Sequence, residues 1–151
     1  VCEKELAIAR RKVLARGWVF NTTAIDFVPN VSGYIPIANS FLSIDVGDNT
    51  NYVVRDHKLF DKTALSYIFD DTVSLTTIED ITFDDIPYLV ADFIIQTASL
   101  QAYIKIVGAS DDIRVRQEAV VMSRLEALRE DARGYGGNLL NSGHVTDLVT
   151  R

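Results

Sequence analysis

Cysteine and histidine are scarce in this chain, and each scarcity removes a class of function. The one cysteine, Cys2, rules out an intrachain disulfide framework and fits synthesis in a reducing cytoplasm. Acid–base or nucleophilic catalysis needs partners held on a rigid scaffold. The two histidines offer none: His57 falls in an expected hairpin turn and His144 in an aperiodic tail, while Cys2 has no evident histidine partner. Long apolar runs are missing too. The richest stretch, residues 87–107, is broken by Asp92, Gln96, Gln101 and Lys105, too polar for a membrane span. The opening Val1-Cys2-Glu3-Lys4 has neither an initiator methionine nor an apolar core, so no signal peptide is expected. Without secretion, the glycosylation patterns at Asn21-Thr22-Thr23 and Asn30-Val31-Ser32 carry no weight. Basic excess is absent as well. A net charge of -6 argues against a sequence-independent nucleic-acid clamp, which gains affinity by displacing phosphate counterions. A mildly acidic wall past which DNA slides remains compatible with it.

What is present is a foldable chain. At 48% hydrophobic and 24% charged residues, its 151 residues can bury a core, so disorder is not expected. A core of this modest size often gains stability from oligomerisation. Three kinds of segment follow one another. Residues 3–16 predict a helix, with Cys2, Leu6, Ala9 and Val13 on one stripe and Lys4, Arg11 and Lys12 off it. Gly17 ends it. No capping residue precedes it, so further sequence upstream of Val1 is expected. From Trp18 to Thr82, β-branched and aromatic residues alternate with turn signals at Pro29-Asn30, Ser32-Gly33, Gly47-Asp48-Asn49 and Asp56-His57. Residues 51–55 and 58–61 predict a hairpin, and 72–78 alternate with the period of a strand. Four to six short antiparallel strands are expected. Helix returns after Asp84-Asp85, with Pro87 in the first turn and Leu89, Val90, Phe93, Ile94, Leu100 and Ile104 as its apolar side. After Gly108 a second helix, acidic at its start (Asp111, Asp112) and basic at its end (Arg129, Arg133), is expected from Ser110 or Asp111 to Arg133, with Gly134 stopping it. Val121, Leu125, Leu128 and Ala132 mark its expected buried side. Residues 135–151, rich in Gly and Asn, read as an extended tail. The fold class is therefore α+β: a helical bundle made of residues 1–17 and a helical hairpin at 84–134, an inserted β domain at 18–83, and a tail at 135–151.

Candidate chemistry is thin. The carboxylate pairs Asp70-Asp71, Glu79-Asp80 and Asp84-Asp85 could serve glycoside cleavage or calcium, but strand ends and a helix start explain them. Gly134-Tyr135-Gly136-Gly137-Asn138 looks like a phosphate cradle, yet it follows a helix C-terminus where such a loop opens a helix. Arg10, Arg11, Lys12 and Arg16 read as a solvated helix face, with DNA or a partner as the alternative. No catalytic residue, metal or cofactor is expected.

Several motifs, taken in order, resemble one family. Arg16-Gly17-Trp18-Val19-Phe20-Asn21 follows a charged helix. Tyr52-Val53-Val54-Arg55 pairs with Leu59-Phe60-Asp61, and Asp85-Ile86-Pro87 opens a helix carrying Thr97-Ala98-Ser99. Tyr135-Gly136-Gly137-Asn138 follows the last helix, and the chain ends Thr150-Arg151. This ordered set, spanning nearly the whole chain, is similar to the tail tubular protein A family, the head-to-tail adaptors of short-tailed, podovirus-type bacteriophages. The resemblance implies a non-enzymatic virion protein in the tail, assembled in the host cytoplasm. It implies a twelvefold homo-oligomeric ring between the capsid portal protein and the tail nozzle, tail tubular protein B, with tail fibres as a further partner. DNA would pass through the centre during ejection without sequence-specific binding, and no membrane is involved. Arg10, Arg11, Arg16, Trp18, Tyr135, Gly136, Gly137, Asn138 and Arg151 are the residues expected at subunit or portal contacts. The alternative from another class is a cell-wall-degrading tail hydrolase using the carboxylate pairs; a third is a glycan-binding β module.

Overall fold

The computed structural model describes residues 1–45, 51–108 and 111–134. Helix α1 spans Cys2–Leu14, followed by strands β1 (Thr22–Phe27), β2 (Phe41–Asp45), β3 (Tyr52–Arg55), β4 (Lys58–Asp61) and β5 (Val73–Glu79), then helices α2 (Tyr88–Val107) and α3 (Asp112–Gly134). Short 3-10 turns at Val19–Asn21 and Phe83–Asp85 lead into β1 and towards α2. The α+β class expected from sequence is the observed one, with five strands among the described residues. Two compact units result, one built on Val1–Arg10 with the chain from Phe83 onward, the other on Arg11–Thr82.

In the second unit β5 lies between β1 and β2, antiparallel to both. Its alternation puts Leu75 and Thr77 inside, 2% and 0% exposed. Thr77 can be buried because its hydroxyl donates to the Thr23 carbonyl at 3.0 Å. Leu75 joins Ile35, Ile37 and Leu59 in a core ringed by Phe27, Phe41, Ile44, Tyr52, Phe69 and Val73. The Phe27–Phe41 and Tyr52–Phe69 rings meet edge to face, the arrangement their quadrupoles favour.

The hairpin forms where the sequence placed it, β3 pairing β4 across Asp56-His57. Both turn residues take positive φ, 49° and 56°, as a two-residue type I′ turn requires. Neither is the residue best suited to that conformation. Replacing them together by Asn and Gly should raise unfolding stability by about 1 kcal/mol, read as a higher denaturation midpoint. The bond from Ile37 N–H to the His57 carbonyl, at 2.8 Å, survives because it is backbone.

Helix α1 ends in a buried joint. Gly17 has φ 78°, and a Cβ there would stand 2.9 Å from Ile78 Cδ1. Gly17→Ala should therefore cost about 1–2 kcal/mol, from the left-handed backbone alone before any clash, measurable as a fall in the urea midpoint.

In the helical unit, three expectations need correction. The α1 stripe is Glu5, Ala9 and Val13, with Cys2 exposed. A carboxylate can take the inside position because Lys105 Nζ of α2 meets Glu5 Oε1 at 2.7 Å. Pro87, expected in the first turn of helix α2, stands at its N-cap, with its carbonyl accepting from Val90 and Ala91 N–H. Its buried residues are Val90, Ile94, Ala98, Leu100 and Ala102, whereas Ile104 is exposed. Helix α3 packs on α2, but its buried residues are Ser123 and Ala127. Val121 and Leu125, expected inside, are 57% and 44% exposed, Leu128 is half-buried and Ala132 is exposed. Small side chains one turn apart let two helix backbones approach closely, and that approach selects the Ser123–Ala127 face for packing within the chain. At the closed end of the hairpin, Tyr103 Oη and Asp112 Oδ2 lie 3.3 Å apart and the Arg116 guanidinium stands 4.2 Å from the Tyr103 ring centre.

Candidate subunit interface

Among the described residues, the chemistry-bearing side chains do not converge. Asp70 and Asp71 are exposed at the approach to β5, Glu79 and Asp80 sit at its end, and Asp84 and Asp85 lie in the turn before α2. Among the described residues, no group of three or more His, Cys, Asp or Glu side chains gathers to hold a metal ion. His57 is exposed in the hairpin turn, and His144 lies outside the described residues. No described helix is long and apolar enough to cross a membrane.

The residues expected at contacts divide into three groups. Arg11 and Arg16 are exposed and Arg10 half-buried. Arg11 Nε lies 3.6 Å from Asp80 Oδ2 with its side chain 64% exposed, a surface pair of little energetic weight. The Arg16 guanidinium carbon stands 5.6 Å from the Trp18 ring centre. Trp18 itself is only 1% exposed, and its indole N–H donates to the Val13 carbonyl at 2.7 Å. It supports the surface beneath Arg16 rather than forming it. Tyr135, Gly136, Gly137, Asn138 and Arg151 lie outside the described residues.

Beside Trp18, Asn21 does work that its place in a glycosylation pattern gave no hint of. It is 2% exposed. Its Oδ1 accepts from Trp18 N–H at 2.8 Å, and its Nδ2 donates to the Leu14 carbonyl at 3.1 Å and the Glu79 carbonyl at 3.0 Å. One amide thus ties the end of α1 and the end of β5 to the turn leading into β1, and no glycan could occupy that nitrogen.

Among the described residues, two apolar surfaces of the helical unit are left uncovered. The first is a groove of about 470 Å³ between the start of α1, α2 and the beginning of α3. Ala98 and Ala102 form its floor, Leu6, Ile95 and Ile106 its walls, and Glu3 and Arg116 its charged rim. The second is the outer ridge of α3, carrying Val121, Leu125 and Leu128. Contiguous aliphatic surface of this kind on a folded domain is the kind that meets another protein, a membrane or a ligand. The ridge was legible as a periodic stripe, although it was assigned to the inside. The groove was not, because its walls come from three helices.

A family model described as tail tubular protein matches residues 1–136. Tail tubular protein A of Klebsiella phage KP34 is 28% identical over 129 residues, covering 85% of this chain and 69% of that protein. With a match that runs through both units, the chain belongs to the tail tubular protein family, structural proteins of the bacteriophage tail.

Proposed function

We propose that this chain is the repeating subunit of an adaptor ring that joins the capsid portal to the tail nozzle and forms part of the channel for DNA ejection. The observation that carries this reading is the pair of uncovered aliphatic surfaces on the helical unit. A subunit with a modest core gains stability when neighbours cover such faces, and head-to-tail contacts close into rings. The net charge of -6 suits a channel wall that does not hold phosphate. On this reading residues 1–17 and 84–134 form the ring scaffold. The β part, 18–83, meets the nozzle and fibres, and residues 135–151 reach a neighbour or the portal. Arg10, Arg11 and Arg16, supported by Trp18, contribute to the same contacts, as do Tyr135 to Asn138 and Arg151. Assembly takes place in the host cytoplasm, and the partners are the portal protein, the nozzle protein and further copies of the chain, twelve to a ring.

Electron microscopy of the purified protein mixed with its portal protein tests the reading. Rings with twelvefold symmetry seated on the portal are expected; a strict monomer that never binds portal overturns it. Removing residues 135–151 should leave the unfolding midpoint unchanged and weaken portal docking, because an added arm contributes by effective concentration rather than by core packing. Unchanged docking of the shortened chain would exclude the arm.

A further inference from the structure

The β unit is polarised along its β1–β5 ladder, and we propose that it docks head to tail on further copies of the chain, the loop end of one unit seating on the exposed face of α1 of the next. This rests on the ring reading and names a contact apart from the α2 and α3 surfaces. Six residue pairs, from Thr22 with Ile78 to Phe27 with Val73, hold β1 against β5. The two ends of the ladder therefore stand about 17 Å apart, at about 3.4 Å per residue.

One end is cationic. Asn21 ties the last turn of α1 to the close of β5 there, and Arg11 Nε lies 3.6 Å from Asp80 Oδ2. Arg11, Lys12 and Arg16 are exposed, and residues 6–25 contain no acid. The acids at this end, Glu79 and Asp80, are both half-buried; Asp80 is matched by Arg11, and Glu79 shares the inward side of β5 with Leu75 and Thr77. Lys12 and Arg16 are thus the surplus. Ile8, Arg11, Lys12 and Ala15, all exposed, fall at helical spacing on one face of α1.

The other end is acidic and aliphatic. The chain leaves β1 through Val28–Gly33 and enters β5 through Ile68–Thr72, and these loops enclose a cleft of about 520 Å³. Asp70 and Asp71 line it and are exposed, as are Val28, Val31 and Ile68, and no lining residue is basic. Lys58 stands nearby but is engaged over the Tyr34 ring, 4.4 Å from its centre. The loops are tied together before any partner arrives. Asn30 Oδ1 accepts from the N–H groups of Ser32 and Tyr34, Phe69 N–H donates to the Gly33 carbonyl at 2.9 Å, and a Cβ on Gly33 would stand 2.8 Å from Ile68 Cγ2. A tip held in this way loses little freedom on docking.

The two ends match in kind. Val28, Val31 and Ile68 meet Ile8, Ala15 and the apolar stems of the basic side chains, while Asp70 and Asp71 face Lys12 and Arg16. Because the surfaces lie at opposite ends of one ladder, a copy that satisfies one leaves the other open. The contact propagates, and it closes into a ring when the rotation per subunit allows it.

Charge reversal of the full chain, with assembly on portal read by electron microscopy, tests the contact. Asp71→Lys and Lys12→Asp each change an exposed residue, so the unfolding midpoint should hold while the assembled fraction falls roughly tenfold. The two reversals in one chain restore opposite signs across every contact and should recover most of the assembly. Wild-type assembly by both single variants, or no recovery in the pair, overturns the proposal. As a second arm, Val31→Cys and Ala15→Cys are combined in a Cys2→Ser background and joined by a short bis-maleimide. A ladder of dimers, trimers and higher species is expected, and none from Val31→Cys without Ala15→Cys. Dimers from Val31→Cys alone would mean that tip meets tip, which overturns the head-to-tail contact. Assembled rings that give no ladder overturn it too and leave the ring reading standing, whereas wild-type protein that never assembles on portal removes both.

Discussion

Asn21→Ala should be the most damaging small substitution outside the aliphatic core, lowering the unfolding free energy by about 3 kcal/mol. The estimate follows from leaving buried polar groups without partners, at about 1–3 kcal/mol each when no water replaces the lost bond. Alanine would orphan the Trp18 N–H and take a donor from the Glu79 carbonyl and from the Leu14 carbonyl, which keeps the Gly17 N–H at 3.0 Å. Some of that loss is recovered by relaxation of the joint, which keeps the sum well below three full penalties. Asn21→Asp retains an acceptor for Trp18 but sets a carboxylate oxygen against two carbonyls, so it should destabilise at least as much. Urea unfolding followed by Trp18 fluorescence gives the measurement: a lower midpoint at unchanged slope is expected. A loss under about 0.5 kcal/mol, the range of ordinary surface substitutions, would show that the amide is not what holds α1 to β5.

Lys105→Ala should come second, at about 2 kcal/mol. Glu5 has a side chain only 6% exposed, with Lys105 Nζ 2.7 Å from its carboxylate. Removing one partner of a buried pair costs about 3–5 kcal/mol when both are enclosed. Here the lysine side chain is 53% exposed, so solvent screening reduces the figure. The cost lies in stranding the carboxylate, and that makes the control informative. Adding Glu5→Gln to Lys105→Ala should recover most of the stability, and a double-mutant cycle isolates the pairwise contribution. If both single variants unfold with the wild-type midpoint, the pair is a surface contact in all but geometry.

Both sites show where sequence reasoning stops. The hairpin at Asp56-His57 was readable because its information is local: a two-residue turn between alternating runs fixes its own register. The strand at residues 72–78 and the charge order of α3, acidic first and basic last, were readable for the same reason. Glu5 was not among the expected inside positions of α1, because its partner is one hundred residues away on α2. Asn21 lies in a legible motif, but its role depends on a carbonyl on β5, fifty-eight residues further along. Nothing in the spacing of nearby residues encodes either contact.

Helix α3 carries the same lesson into function. Its sequence contains two stripes that could be buried, the larger one of Val121, Leu125, Leu128 and Ala132 and the smaller one through Ser123 and Ala127. Hydrophobicity alone favours the larger stripe, and the chain buries the smaller, because packing against α2 rewards close backbone approach over side-chain size. The sequence by itself therefore determined the α+β elements, the hairpin register and the family, all of which follow from local periodicity, turn chemistry and ordered motifs. Only the tertiary structure decided which face of α3 is spent inside the chain and which stays exposed, because that choice depends on how near two helices can come, a property of their joint geometry.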